Sequence, residues 1–136
     1  MGWRKYFGLE RRRQHRHPIV IDVKFYVWNE AAGKPLTERG TGRLVNISVK
    51  GGCLQTNTVR IGNHHLFIND DLTGKTPLIL EFPPPAEGTA WTLKSQILWY
   101  KNAPPGDELK FEFGLTFLYP SPTQEERLKS LIKSIP

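Results

Sequence analysis

Four arginines and two histidines stand within the ten residues LERRRQHRHP, 9–18, just ahead of the first apolar run. A guanidinium fork meets a phosphate, or the edge of a guanine, in two parallel hydrogen bonds, so the chemistry open to this cluster is the capture of an anionic nucleotide. Thirty residues beyond Arg16, the stretch NISVKGG, 46–52, offers the complementary groups. Asn46 and Ser48 share one parity and would present polar side chains to the same surface of an extended segment. Gly51 and Gly52 permit a backbone path barred to bulkier residues, and small side chains at a turn leave N–H groups open to an anion. The arginine cluster with Asn46, Ser48, Gly51 and Gly52 is therefore the candidate ligand-binding set, and the ligand it suits is small and anionic.

Catalysis has no such support. His15, His17, His64, His65, Asp70 and Asp71 are the obvious metal candidates, but His64 and His65 are adjacent and would point to opposite faces of a strand. Histidines of a surface loop are the simpler reading, and no metal site is assigned. Ser48 and Cys53 lack any neighbouring cue for activation, and Cys53 on an apolar strand reads as core filling. As the lone cysteine it forms neither an internal disulfide nor a thiolate zinc cluster. No catalytic residue and no cofactor is expected, and the protein is read as a non-enzyme.

The charge is placed unevenly. Residues 1–17 hold six basic side chains against Glu10 alone, whereas the rest of the chain holds 13 against 12 acidic ones. The formal net charge of +6 is thus a property of the lead-in, over a nearly neutral body. The 136 residues, 38% of them hydrophobic, suit one domain with a single core. No run approaches the roughly 18 apolar residues of a membrane span, and the N-terminus lacks the apolar block of a secretory signal. A cytoplasmic protein without a transmembrane segment is the expectation.

The elements that must position these residues follow from periodicity. From Ile19 to Trp28 apolar residues alternate with Asp22, Lys24 and Tyr26, the period of a half-buried strand. RLVNIS and GGCLQT read as two short strands about a glycine turn. TPLILEF, WTLKSQILWYK and ELKFEFGLTF follow, divided by proline-rich connections. Six strands with short links predict an all-β fold, a closed six-stranded antiparallel barrel. In SPTQEERLKSLIKSIP the period changes: Ser121 is a helix cap with Pro122 at the first helical position and Gln124 completing a capping box. Leu128, Leu131, Ile132 and Ile135 then mark one face of an amphipathic helix packed on the barrel. The division is a flexible basic arm over 1–18, a barrel over 19–120 and a C-terminal helix over 121–136. Residues 55–75 resist assignment: a long turn, an extra hairpin and a bulged strand all fit.

An RxxxR pattern, Arg12 and Arg16 in RRQHR, precedes the first strand, and [D/N]xSxxG, Asn46, Ser48 and Gly51 in NISVKG, follows it. In that order and at that spacing they resemble the PilZ domain family. The similarity spans 10–118, with ERRR at the start and FGLTF, containing Gly114 and Phe117, matching the last barrel strand. The resemblance implies a six-stranded barrel that binds cyclic di-GMP and signals to a protein effector. In the family the arginine arm is mobile without ligand and wraps over the bound dinucleotide. Carried onto this chain, Arg12 and Arg16 would grip guanine edges and phosphates. Asn46 and Ser48 would hydrogen-bond a guanine or phosphate, and Gly51 would permit the close turn. Arg11, just before RxxxR, is where the family tends to place an arginine when it takes an intercalated ligand dimer. Asn46 stands where Asp is commoner, yet keeps an acceptor oxygen. Closure of the arm would reposition Trp3, Tyr6 and Phe7 as a contact for a partner; the alternative is that these aromatics fray or pack locally, as terminal residues do. Two other readings remain: a ligand-free interaction module of the same fold, and a barrel binding single-stranded nucleic acid through the arm and Trp91, Trp99 and Tyr100. The first reading uses both motifs together, and no DNA or RNA is expected as a partner.

Overall fold

A computed structural model of the chain describes residues 17–67, 76–84 and 88–133. The alternating run ahead of the first turn forms β1, His17–Asn29, with Val23, Phe25 and Val27 buried. Gly40–Ile47 forms β3 and Gly51–Thr56 forms β4, after a two-residue β2 at Lys34–Pro35. Leu78–Phe82, Trp91–Asn102 and Phe111–Phe117 form β7, β8 and β9. Between β4 and β7 lie the two-residue strands β5, Arg60–Ile61, and β6, His64–His65.

All pairings are antiparallel, in the order β2, β1, β3, β4, β9, β8, β7, and β7 pairs back onto β1. Six strands thus close into a barrel, as the periodicity predicts, and closure removes the exposed sheet edges that invite aggregation. The inward side chains Phe25, Leu44, Leu54, Leu80, Leu93 and Phe113 are buried to 1% exposure or less. Two polar groups share this interior without loss, because Ser95 Oγ donates to Leu78 O at 2.9 Å and Thr56 Oγ1 donates to Thr41 O at 2.8 Å.

Of the segment 55–75, residues 55–56 end β4 and a small hairpin runs from Arg60 to His65, while 68–75 lie outside the described residues. Leu66 is buried in the core, Val59 and Ile61 pack against it, and Leu66 N–H donates to Val59 O at 2.8 Å. The His65 and Phe67 rings lie 5.5 and 5.6 Å from that of Tyr100. The hairpin therefore covers the barrel mouth at which β4 ends and β9 begins. Burial holds the His65 imidazole below its usual pKa, and the nearby Arg60 and His64 add to the effect. Among the described residues no three histidine, cysteine or acidic side chains gather as a metal site; Asp70, Asp71 and His15 lie outside them.

At the other end of β9 the chain enters α1, Pro122–Lys133. Ser121 caps it as the sequence predicts: Gln124 N–H donates to Ser121 Oγ at 3.1 Å and Ser121 N–H to Gln124 Oε1 at 2.7 Å. Gln124 Nε2 also donates to Thr92 O of β8, at 2.7 Å, which ties the cap to the barrel. Leu128 is fully buried, with Leu131 and Ile132 packed against the core; Ile135 lies outside the described residues. No described helix is long and apolar enough to cross a membrane.

Because Leu128 seats the helix on the barrel, Leu128→Ala should cost about 2 to 5 kcal/mol, the range for an emptied leucine site. Urea denaturation of the two proteins measures it.

Candidate functional site

The polar turn is made where β3 meets β4. Ser48 N–H donates to Gly51 O at 2.8 Å and closes it; the Ser48 hydroxyl donates to Gly51 O at 3.3 Å and accepts from Lys50 N at 3.2 Å. A second acceptor lone pair on Ser48 Oγ takes no hydrogen bond among the described residues.

Asn46 departs from the simple strand geometry on which the shared parity with Ser48 depends. Leu44 and Ile47 are both buried although three residues apart, while Asn46 between them is exposed. Its φ of 54° lies in the left-handed region. The ladder slips there on both sides: Pro18 and Ile19 of β1 face Asn46 alone, between the pairs His17↔Ile47 and Val20↔Val45. On the other side Asn46 and Ile47 together face Gly52, between Val45↔Cys53 and the Ser48–Gly51 bond. Pro18 lacks the N–H that a regular ladder would use, which favours the bulge. Asn enters left-handed backbone more easily than most residues, so its presence at 46 has a backbone reason independent of any ligand.

The two glycines differ in kind. A Cβ on Gly51 would run into the Leu115 carbonyl of β9, so only glycine lets the turn lie against that strand. A Cβ on Gly52 would find ordinary contacts, the nearest at 3.5 Å from Ile47 Cα. Gly51 is therefore required by close approach, and Gly52 is not. Lys50 O accepts from Phe117 N at 2.8 Å, fastening the turn's tip to the end of β9.

Arg11, Arg12 and Arg16 lie outside the described residues, as does nearly all of the arm assigned to 1–18. Its covalent root does not: His17 is paired with Ile47, directly between Asn46 and Ser48. The register thus brings the foot of the basic segment beside the polar turn, two features some thirty residues apart in the chain.

Below the turn the outer wall carries an apolar shelf that sequence reasoning missed. The pairs Val20↔Val45, Val45↔Cys53, Cys53↔Gly114 and Trp99↔Gly114 align five outward positions across five strands, so Cys53, expected as core filling, faces the outer wall because Leu54 takes the interior. At about 4.8 Å per strand the row spans roughly 19 Å. A register slip between Ile97 and Trp99 turns Trp99 outward. Its indole lies directly over Gly114, where any side chain would collide with it. Trp99 remains 43% exposed and Val20 61%. The glycine in mid-strand was the available signal, since it marks close approach by a neighbour. Of the other aromatics considered as stacking platforms, Trp91 lies parallel to Phe82 at 4.3 Å and Tyr100 to Phe113 at 5.4 Å. Both serve the core.

A concavity of about 610 Å³ lies elsewhere, at the seam of β1 and β7 between Asp22, Lys24, Glu81 and Phe82. Two of its ionic groups are engaged: Glu81 takes a forked ion pair from Arg39 at 2.8 and 3.1 Å, and Arg43 pairs with Glu108 at 2.9 Å. The Arg39 hydrogen bonds hold the Glu81 carboxyl below its usual pKa. None of the turn residues lines it.

The family model described as the PilZ domain matches residues 10–134. No curated protein matches. Among solved structures the fold is similar to the PilZ domain of CeSA from a cellulose synthesizing bacterium, at 19% identity and TM-score 0.52, covering 88% of this chain and 96% of that one. It is also similar to the PilZ domain with c-di-GMP of YcgR from Escherichia coli, at 16% identity and TM-score 0.55, covering 86% and 88%.

The contrast between the glycines is testable by thermal melting. Gly51→Ala should lose about 1 to 3 kcal/mol through overpacking, whereas Gly52→Ala should stay within about 0.5 kcal/mol of the parent.

Proposed function

The chain belongs to the PilZ domain family, and on that premise we propose that it binds cyclic di-GMP by closing its arginine arm over the Ser48–Gly51 turn. The observation that carries this reading is the register His17↔Ile47. Arg16 is one peptide bond from His17, and Arg12, five residues away, has its Cα within about 18 Å of that root. Both guanidinium groups can therefore reach a nucleotide seated on the turn.

The division of labour follows from the groups at hand. Arg12 and Arg16 take guanine edges and phosphates through their forks. Asn46, exposed and with both donor and acceptor atoms, and the remaining lone pair of Ser48 read polar edges. Backbone N–H groups around Gly51 and Gly52 meet phosphate. The shelf from Val20 to Trp99 offers an apolar face to a purine ring. Arg11 adds a further cation for a second, intercalated ligand molecule.

Placing the arginines on a lead-in segment keeps them hydrated and apart until phosphates arrive, so that binding and ordering of the arm become one event. In this reading the protein is a cytoplasmic receptor and not an enzyme, and the ordered arm with Trp3, Tyr6 and Phe7 is the signal read by a protein effector.

Calorimetric titration of cyclic di-GMP at physiological salt tests it, with Arg12→Ala, Arg16→Ala and a short single-stranded RNA as controls. Saturable binding is expected, weakened about five- to 150-fold by each substitution, as for loss of one bidentate contact worth about 1 to 3 kcal/mol. Two ligands per protein would support the role given to Arg11. Absence of heat and of any thermal shift with excess ligand would leave the ligand-free module, and binding of RNA alone would leave the nucleic-acid reading.

A further inference from the structure

Tyr119 stands two residues beyond β9, in the connector to α1, and has a φ of 42°. Left-handed backbone is uncommon for a non-glycine residue, and bulky ones enter it at a cost. The following Pro120 further restricts the residue before it. The conformation is imposed from both sides: Leu118 N–H is bonded to Lys94 O at 2.9 Å, and Ser121 is held in the helix cap. Glycine or asparagine would meet this geometry more easily. The ring gains nothing in return from folding, being 95% exposed and without a hydrogen bond or ring contact among the described residues. Strain retained together with an idle aromatic ring points to a contact made outside the fold.

Its place says which contact. Phe117 N–H is bonded to Lys50 O, the tip of the polar turn, and Thr116 is paired with Gly51. The Tyr119 Cα is within about 7 Å of the Phe117 Cα. Tyr119 thus leaves β9 at the end of the barrel that carries the turn and the root of the arm. We propose that Tyr119 stacks on a purine face of the nucleotide held at the Ser48–Gly51 turn, as a ligand contact separate from both motifs. The proposal rests on the cyclic di-GMP reading above.

The test pairs affinity with stability, using calorimetric titration of cyclic di-GMP and thermal melts of the full chain, Tyr119→Gly and Tyr119→Phe. Tyr119→Gly should melt about 5 °C higher, because strain is relieved, and yet bind about tenfold more weakly, because a stacking face is lost. Tyr119→Phe should bind within about twofold of the parent. A purely structural residue would not lose affinity while gaining stability. Undiminished binding by Tyr119→Gly, a fall in its melting temperature, or weakened binding by Tyr119→Phe would each overturn the stacking role while leaving the ligand reading intact. Failure of the parent itself to bind would overturn both.

Discussion

Everything in this molecule depends on one strand being hydrogen-bonded along both of its sides. β1 pairs with β3 from His17 to Phe25 and with β7 from Lys24 to Val27, and without the second pairing the sheet would stay open. The same double engagement fixes where the chain enters the barrel. With Val23, Phe25 and Val27 held in the core, a slip of one residue would turn all three outward. The pairing of Val20 with Val45 is set by that core register, and the bulge at Pro18 and Ile19 then carries His17 to its place opposite Ile47. The basic lead-in is anchored by hydrophobic packing some twenty ångströms away along β1.

The turn beside that anchor is doubly determined. Asn46 suits a left-handed position at a bulge, and Gly51 suits a strand crossing with no room for a Cβ. Residues that look like ligand contacts in a motif thus hold the rim in shape as well. This has an energetic benefit for recognition: N–H groups and polar side chains set by the fold need little ordering when a ligand arrives.

Two aromatic residues show how packing sorts side chains of similar type. Tyr100 and Trp99 are neighbours in β8, and strict alternation already sends them to opposite faces. The slip at Leu98 decides which face each receives, so Tyr100 stacks on Phe113 inside while Trp99 covers Gly114 outside. An extra residue in one strand thus converts an outer wall into an apolar shelf.

Much of this was legible in the chain. Period-two alternation in six segments, proline-rich connections and the capping box at Ser121 determined a closed barrel followed by one helix, because burial of a single face and local backbone chemistry act over short distances. The two motifs were readable for the same reason. The hairpin at 60–65 was not, since two-residue strands carry no periodicity and owe their form to the mouth they cover. Only the tertiary structure decided that Asn46 breaks the alternation, that Gly51 and not Gly52 is sterically required, and that Tyr119 is held in left-handed backbone. Each of these follows from contact between strands distant in sequence, from register and close approach, and neither quantity is written in the order of residues along one strand.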